Sequence, residues 1–252
     1  MPWMTYRVFI VLMVFLTMAC VGAPCSSTAL LTLFQLSPNT SRDRLIPMAP
    51  LIADNRLRFC STQNVTCVFA NHPSSTRYNV KGMKYYFIHK LLKRGFDCVM
   101  YVDVDAVIVK DFRVQDILDS SSKRVMCSAY LCRDLLSSNK FNTGVMVYTR
   151  RDGEASRLLQ CMTDMSRRSN GELMSDQLIL NDYCLGSVRR RVCVLDRSLW
   201  NAFPVPGNAT SALWSAMGLP LSGDEHKEQF RDRISYIVHF AGESCYSDNI
   251  SL

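Results

Sequence analysis

The sequence lacks several features that would assign it to common functional classes. Its longest run of basic residues is residues 189–191 (RRR), too short for a dedicated nucleic-acid surface, although the formal net charge is +7. Paired Cys-x-x-Cys motifs are absent, so the cysteines do not have the spacing of common structural zinc sites. There are no internal repeats and no low-complexity segments. We therefore expect a partner that is anionic but is not nucleic acid, such as a nucleotide phosphate.

The composition and length predict one globular α/β domain. The chain has 252 residues, of which 48% are hydrophobic and 20% are charged, as in folded proteins rather than disordered ones. A chain of this length forms one well-buried domain and leaves little room for a second. We expect a single domain over residues 26–252, preceded by an N-terminal segment over residues 1–25.

The N-terminal segment has the pattern of a secretory leader. Arg7 is followed by an uncharged apolar run, residues 8–23, that ends at Pro24. The run is shorter than the ~20 residues that cross a bilayer comfortably and slightly longer than the ~7–15 of a signal-peptide core. Small residues at 21–23 favour cleavage, whereas Pro24 disfavours it. A signal peptide and a signal anchor both stay open, so we expect a secreted or a type II membrane protein of the ER or Golgi lumen, attached to the membrane if uncleaved.

The cysteines and the glycosylation motifs agree with this location. Removing Cys20 with the leader leaves ten of the 11 cysteines, an even number that suits disulfides in an oxidising lumen. Their pairing does not follow from the sequence. Asn-x-Ser/Thr sequons occur at Asn39, Asn64, Asn208 and Asn249. We expect some of them to carry glycans.

The most informative stretch is residues 96–109, an apolar segment that contains Asp103 and Asp105. Its β-branched residues predict one buried strand with the two aspartates in its centre, where a carboxylate must be paired or must bind a metal. Side chains two residues apart lie on the same face of a strand, so both carboxylates could bind one ion. Carboxylates suit Mn²⁺ or Mg²⁺ together with phosphate oxygens. The alternative is a pair at a loop edge that caps a helix.

Strand and helix patterns alternate around this stretch. The predicted strands are residues 29–36, 66–70, 125–130, 192–195 and 235–240, with residues 141–148 as a polar turn leading into a further strand. The predicted helices are a segment that begins after Ala49, residues 79–94 with Gly95 at the end, residues 115–119 and 153–165, and a segment that begins at Ser175. Residues 200–204 are a predicted loop. The alternation predicts an α/β fold with a ligand site at the carboxyl ends of the strands.

Five motifs, taken together, resemble those of the GT-A glycosyltransferases. They are residues 101–109 (YVDVDAVIV), 141–148 (FNTGVMVY), 175–177 (SDQ), 200–204 (WNAFP) and 238–242 (VHFAG), in the order found in that family. The nearest match is to the retaining galactosyl-, mannosyl- and xylosyltransferases and the glycogenin-like group. The resemblance extends from about Ala29 to Cys245. It implies the GT-A (Rossmann-like) fold, a mixed sheet flanked by helices in a single domain.

The resemblance also implies roles for individual residues. Asp103, Asp105 and His239 would bind Mn²⁺ or Mg²⁺, with Asp105 the more direct ligand and Asp103 shared with the ribose of the substrate. Asp176 and Gln177 would be the catalytic pair at the reacting face of the donor sugar. The other residues that would bind substrate are Lys81, Asn142, Thr143, Gly144, Asn201 and Gly242.

The function that the resemblance implies is transfer of a hexose or pentose from a nucleotide-diphosphate sugar to a luminal glycan or glycoprotein, with retention. A UDP-sugar is favoured and a GDP-sugar stays open. The alternative is a catalytically inactive relative that binds a nucleotide sugar or glycan as a partner protein, although the intact motif residues argue against it. A nucleotidyltransferase would need a glycine-rich phosphate loop near the N-terminus, and the sequence has none there.

Several motif residues also have a purely structural interpretation. His239 could be a hydrogen-bonded core histidine, residues 142–144 could form a plain turn, and Asp176 could simply cap a helix. Trp200 and Phe203 could pack in the core instead of contacting a sugar.

Overall fold

The computed structural model describes residues 25–34, 48–71, 80–120, 127–134, 140–150, 153–168, 175–186, 191–202 and 235–239. The strands in these ranges are β1 (Thr28–Phe34), β2 (Thr66–Asn71), β3 (Cys98–Val102), β4 (Ala106–Ile108), β5 (Ala129–Arg133), β6 (Phe141–Thr149), β7 (Val192–Leu195) and β8 (Ile237–His239). The helices are α1 (Ala49–Gln63), α2 (Val80–Lys93), α3 (Val114–Asp119), α4 (Glu154–Arg168), α5 (Asp176–Leu178), which continues as a π-helix (Ile179–Cys184), and α6 (Arg197–Trp200).

The strands form a mixed sheet, as predicted. The order is β2-β1-β3-β6-β5-β7. Strand β1 is parallel to β2 and β3, whereas β6 is antiparallel to β3 and β5. A second sheet pairs β4 with β8 in antiparallel fashion. This second sheet lies next to the carboxyl end of β3, where the candidate site is found.

Helices cover both faces of the main sheet. Alternate residues of β1 contribute to two separate cores, with Leu31 on one face and Leu30 on the other. Helices α2 and α4 pack on the first core, and α1 and α3 pack on the second. Strands buried on both faces are continuously apolar rather than alternating. This explains why β3 and β6 are buried at every residue.

Disulfides are present, as the cysteine count predicts. The pairs are Cys25–Cys98, Cys60–Cys67, Cys127–Cys193 and Cys161–Cys184. Cys132 is a buried free thiol, and burial raises its pKa strongly. Cys245 lies outside the described residues. No helix within the described ranges is long and apolar enough to span a bilayer.

The prediction of one continuous strand over residues 96–109 was wrong. Strand β3 ends at Val102 and residues 103–105 form a turn. The Asp103 N–H donates to the Gly144 carbonyl at 2.8 Å, and the Ala106 N–H donates back to the Asp103 carbonyl at 3.1 Å. The chain then enters β4 in the other sheet. The aspartates therefore lie on a tight turn between two sheets.

Three other local predictions need correction. The predicted turn at the start of residues 141–148 is instead part of β6, which is extended from its first residue. The strand predicted over 125–130 begins at Ala129 and continues to Arg133. Trp200 ends the short helix α6 and is not in a loop. The segments 1–24, 35–47, 203–234 and 240–252 lie outside the described residues, and with them Phe203, Gly242 and the sequons at Asn39, Asn208 and Asn249.

Candidate metal and donor-sugar site

The turn that follows β3 brings two carboxylates and an imidazole together. His239 ends β8 and is the register partner of Ala106 in β4, directly after the turn. Its Nε2 atom lies 3.2 Å from Asp105 Oδ1 and 4.0 Å from Asp103 Oδ2. One ligand atom of each residue lies within 4.8 Å of the others. Asp105 and His239 are 134 residues apart in the chain, and the fold brings the three predicted ligands together at one point.

A chain of hydrogen bonds fixes the orientation of the His239 ring. The Gly144 N–H donates to Asn142 Oδ1 at 2.7 Å, which identifies this atom as the oxygen. Asn201 Nδ2 donates to the same oxygen at 2.9 Å, so the Asn201 carbonyl must be the group 3.0 Å from His239 Nδ1. Nδ1 therefore carries a proton in this arrangement. The remaining nitrogen, Nε2, points at the carboxylates of the turn.

The His239 nitrogen that faces the aspartates can hold either a proton or a metal ion. In the neutral ring the Nε2 lone pair faces carboxylate oxygens, so either a proton or a metal ion must lie between them. Burial lowers the pKa of His239, but Asp105 and Asp103 outweigh burial and raise it overall. Burial raises the pKa of Asp103, with an opposing effect of Lys84 and a further increase from Asp105. The two carboxylates and a neutral imidazole would offer oxygen and nitrogen ligands with no positive charge of their own, and such a set suits a divalent cation.

Gly144 leaves the space that the His239 ring occupies. A Cβ atom built on Gly144 would overlap the imidazole at Cε1. The glycine was predicted to bind substrate, whereas in the structure it leaves room for the His239 ring. Asn142 and Asn201 are also buried behind His239. Their contribution to substrate binding stays a prediction, but their side chains are engaged in orienting the ring.

A buried ion pair lies next to the carboxylate turn. Lys84 Nζ lies 2.5 Å from Asp176 Oδ2 and 3.9 Å from Asp103 Oδ1, and it donates to the Thr143 carbonyl at 3.0 Å. Thr143 Oγ1 donates to the same Asp176 oxygen at 2.7 Å. Burial lowers the pKa of Lys84, but Asp103 and Asp176 outweigh burial and raise it. Lys84 therefore remains charged and links the catalytic candidate Asp176 to the predicted metal ligands.

Lys84 is a basic residue of this site that sequence reasoning missed. Lys81 was predicted instead; its backbone is in α2, but its side chain lies outside the described part of the chain. A signal for Lys84 was available in the sequence. The residue precedes Ile88 by four positions and Leu91 by seven, so it interrupts the apolar stripe of α2. A lysine on a buried helix face needs a partner.

The other catalytic candidate, Gln177, is half-buried in the first turn of α5. Its main-chain carbonyl accepts a hydrogen bond from Asn181 Nδ2 at 2.7 Å. Asn181 also pairs with both backbone groups of Phe141, at 2.7 and 3.0 Å. The Asn181 side chain therefore connects the first turn of α5, which carries the two catalytic candidates, to the start of β6, the strand that carries Thr143. Ser175 precedes α5 but makes no capping hydrogen bond with its side chain.

Comparison with known proteins identifies the fold. No protein-family model matches the sequence, and no curated protein matches it. Among solved structures, a glycosyltransferase involved in the glycosylation of the major capsid of PBCV-1 is similar, with a TM-score of 0.58 and 13% identity over 87% of this chain and 95% of that chain. The glycosyltransferase GlyE of Streptococcus pneumoniae TIGR4 gives a TM-score of 0.52 and 12% identity, over 90% of this chain and 57% of that chain. The likeness confirms the predicted fold, a single α/β domain of the GT-A glycosyltransferase type.

Proposed function

We propose that this chain is a divalent-metal-dependent glycosyltransferase, which moves a hexose or pentose from a nucleotide-diphosphate sugar to a luminal glycan or glycoprotein. The observation that carries the proposal is the convergence of Asp103, Asp105 and His239 at the carboxyl end of β3, beside the Lys84–Asp176 pair. In open α/β sheets, ligands bind outside the carboxyl ends of the strands. The fold and the ligand set thus point to the same place.

The carboxylate turn and His239 would hold Mn²⁺, or Mg²⁺ in its place. Such an ion, when bound, supplies positive charge to the diphosphate leaving group. Asp105 and His239 would be the direct ligands, because their atoms are already 3.2 Å apart. Asp103 accepts a hydrogen bond from the Tyr101 hydroxyl at 2.5 Å, which fixes the orientation of its carboxylate. In that orientation Asp103 would contact both the ion and the ribose of the donor. Asn201 holds the imidazole by its other nitrogen, as outer residues commonly do at metal sites.

Asp176 and Gln177 would act at the sugar. Glycosyl transfer develops positive charge at the anomeric carbon, and a nearby carboxylate stabilises that charge. Lys84 and Thr143 hold one Asp176 oxygen in place. We assign Asp176 an electrostatic role, because a carboxylate oxygen engaged by an ammonium group and a hydroxyl is a weaker nucleophile. Retention of configuration is part of the proposal and is supported by the resemblance of the motifs.

We further propose that the chain works in the lumen of the secretory pathway, as a secreted or type II membrane protein of the ER or Golgi. The disulfides between distant elements support this, since such bonds persist in oxidising compartments. The apolar N-terminal run supports it from the sequence. Donor sugars are substrates in this proposal, with UDP-sugars favoured over GDP-sugars.

The test is donor turnover by the purified domain. A panel of UDP- and GDP-sugars is incubated with Mn²⁺ or with a chelator, and release of nucleoside diphosphate is measured. We expect slow hydrolysis of one donor that requires Mn²⁺ and is lost in Asp105→Asn. Asp111→Asn, an exposed carboxylate just beyond β4, is the matched control and should retain activity. If the folded protein neither binds nor turns over any donor, the inactive relative becomes the better account.

A further inference from the structure

A fully buried arginine lies beneath the carboxylate turn. Arg56, in α1, has 0% of its surface exposed. Its Nη2 group donates to two backbone carbonyls that flank the turn, Asp103 at 3.1 Å and Ala106 at 2.5 Å. One guanidinium nitrogen therefore holds both ends of the segment that carries Asp103 and Asp105.

The same guanidinium connects the turn to the strands around it. Arg56 Nε donates to Thr32 Oγ1 in β1 at 3.2 Å, and that hydroxyl donates to the Val102 carbonyl at the end of β3 at 3.1 Å. Arg56 Nη1 donates to Asn55 Oδ1. Asn55 in turn pairs with both backbone groups of Ile108 in β4, at 2.8 and 3.1 Å. The chain is thus held before, within and after the turn.

The guanidinium hydrogen bonds of Arg56 in the described part of the chain go to neutral acceptors, which are two backbone carbonyls, a hydroxyl and an amide oxygen, and not to a carboxylate. Burial lowers the pKa of Arg56 to about 10, against opposing effects of Tyr101, Asp103 and Asp105, so the group is charged at neutral pH. A buried charge that is hydrogen-bonded only to neutral groups is expensive. An apolar residue would fill the same core position without the desolvation cost of a buried charge. This indicates that the hydrogen bonds of the guanidinium group serve a purpose other than filling the core.

We propose that Arg56 is a positioning residue for cation binding, which acts with Thr32 and Asn55 to fix the turn that presents Asp103 and Asp105. The inference rests on the proposed function, because it concerns the same ion. The competing possibility is that Arg56 serves only as a positive charge near the aspartates. The two roles predict opposite changes in metal affinity when Arg56 is removed. A positive charge beneath the turn would by itself repel an incoming metal ion, so its loss would strengthen binding, whereas loss of a positioning residue would weaken it.

The test is Mn²⁺ affinity, measured by electron paramagnetic resonance on folded protein without substrate. Arg56→Lys keeps the charge but loses the planar fork, and Arg56→Met loses both. We expect each to weaken Mn²⁺ binding by about 10- to 100-fold, as loss of outer residues does at metal sites. Arg58→Met is the matched control, because Arg58 is exposed on the same helix, and its affinity should equal that of the wild type.

A milder variant keeps the test decisive if the Arg56 variants do not fold. Thr32→Val has nearly the same shape and removes the hydroxyl between Arg56 and Val102, so we expect a several-fold loss of Mn²⁺ affinity. Unchanged affinity in every folded variant would overturn the proposal. Tighter Mn²⁺ binding in Arg56→Met than in the wild type would also overturn it, and so would wild-type affinity in Arg56→Lys. Either result would mean that Arg56 acts through its charge and not through its hydrogen bonds.

The outcomes separate this inference from the proposed function. If the wild type binds Mn²⁺ and Asp105→Asn does not, the metal site stands whatever the Arg56 variants do. If the wild type and Asp105→Asn both fail to bind, the proposed function fails first. In that case the positioning role, which depends on the ion, fails with it.

Discussion

At the scale of single residues, the site depends on the one position in β6 that has no side chain. Gly144 contributes its carbonyl to the Asp103 N–H and its own N–H to Asn142. It also leaves room for the His239 ring. The backbone of one residue thus fixes the turn, starts the hydrogen-bond chain and accommodates the imidazole.

Gly144→Ala should therefore displace His239. We expect Mn²⁺ affinity to fall at least 10-fold, and the free energy of unfolding to fall by about 1–3 kcal/mol from overpacking. Metal titration and urea unfolding measure the two effects. Gly186→Ala is the control, because a Cβ atom there meets no atom within 4 Å. Equal metal affinity in Gly144→Ala and the wild type would mean that His239 is not a ligand.

Lys84 makes a different prediction, because its loss removes the ammonium group that pairs with the buried Asp176 carboxylate. Lys84→Met should lower the free energy of unfolding by about 3–5 kcal/mol, as for other broken buried pairs. Adding Asp176→Asn should recover part of the stability but not the activity, since the uncompensated charge is then removed. Urea unfolding and donor turnover test this, with the exposed Lys90→Met of the same helix as the control. No recovery in the double variant would contradict the pairing.

At the scale of elements, Asp97 joins three parts of the fold in front of β3. It accepts hydrogen bonds from Ser26 and Ser27 before β1, and its other oxygen accepts from Arg150 after β6 at 2.6 Å. Burial raises the pKa of Asp97, but the hydrogen bonds from Ser26, Arg150 and Ser27 outweigh burial and lower it. The folded state thus favours the ionised form.

The sign of the pH effect follows from this shift. The stabilisation by Asp97 is complete above its unfolded pKa, near 3.9, and is lost as the pH falls through the lower folded value. We expect Asp97→Asn to lower the free energy of unfolding by about 1 kcal/mol at pH 7, a modest value because the group is partly exposed and screened. Below about pH 4 the stability of the variant should approach that of the wild type. Urea unfolding from pH 3 to 7 measures the difference. A gap that widened in acid would contradict the ionised role.

The sequence predicted most elements because their signals are local. Helix α2 has a regular apolar stripe and ends before Gly95, which has a φ of 107°, and β1, β2 and β7 are apolar runs between polar segments. The break after β3 was missed because β4 is also apolar, and its partner β8 is far away in the chain. Nothing in residues 96–109 distinguishes one long strand from two short ones in different sheets.

The polar residues at the start of β6 were misassigned for a related reason. Asn142 and Thr143 favour turns when their side chains bond locally. Asn142 accepts locally from the Gly144 N–H, but it also accepts from Asn201, and Thr143 donates to Asp176. Asn201 and Asp176 come from much later in the chain. Tertiary partners therefore allow polar residues in a buried strand. The motif resemblance named these residues, but only the fold shows what their side chains contact.

At the scale of the whole molecule, one sequon is placed where a glycan would not obstruct the site. Asn64 is exposed at the end of α1, with a φ of 53°, inside the loop closed by Cys60 and Cys67. It precedes β2, which is parallel to β1 and β3 through the sheet. Asn64 therefore lies at the amino ends of these strands, whereas Asp103 lies at a carboxyl end.

We expect Asn64 to carry an N-linked glycan when the full chain is made in a eukaryotic secretory host. Peptide mapping after enzymatic deglycosylation should show Asn64 converted to aspartate. Thr66→Ser should keep the glycan, and Thr66→Val should lose it while retaining donor turnover. An unmodified Asn64 in the secreted chain would contradict the prediction, and loss of turnover in Thr66→Val would contradict the separation from the site.

The central claim is that the turn after β3 binds a cation for a nucleotide diphosphate, and calorimetric titration of UDP tests it most directly. We expect one UDP site that requires Mn²⁺, disappears with a chelator and is lost in Asp105→Asn while the protein remains folded. UDP binding that is equally strong without Mn²⁺, or unchanged in Asp105→Asn, would contradict it.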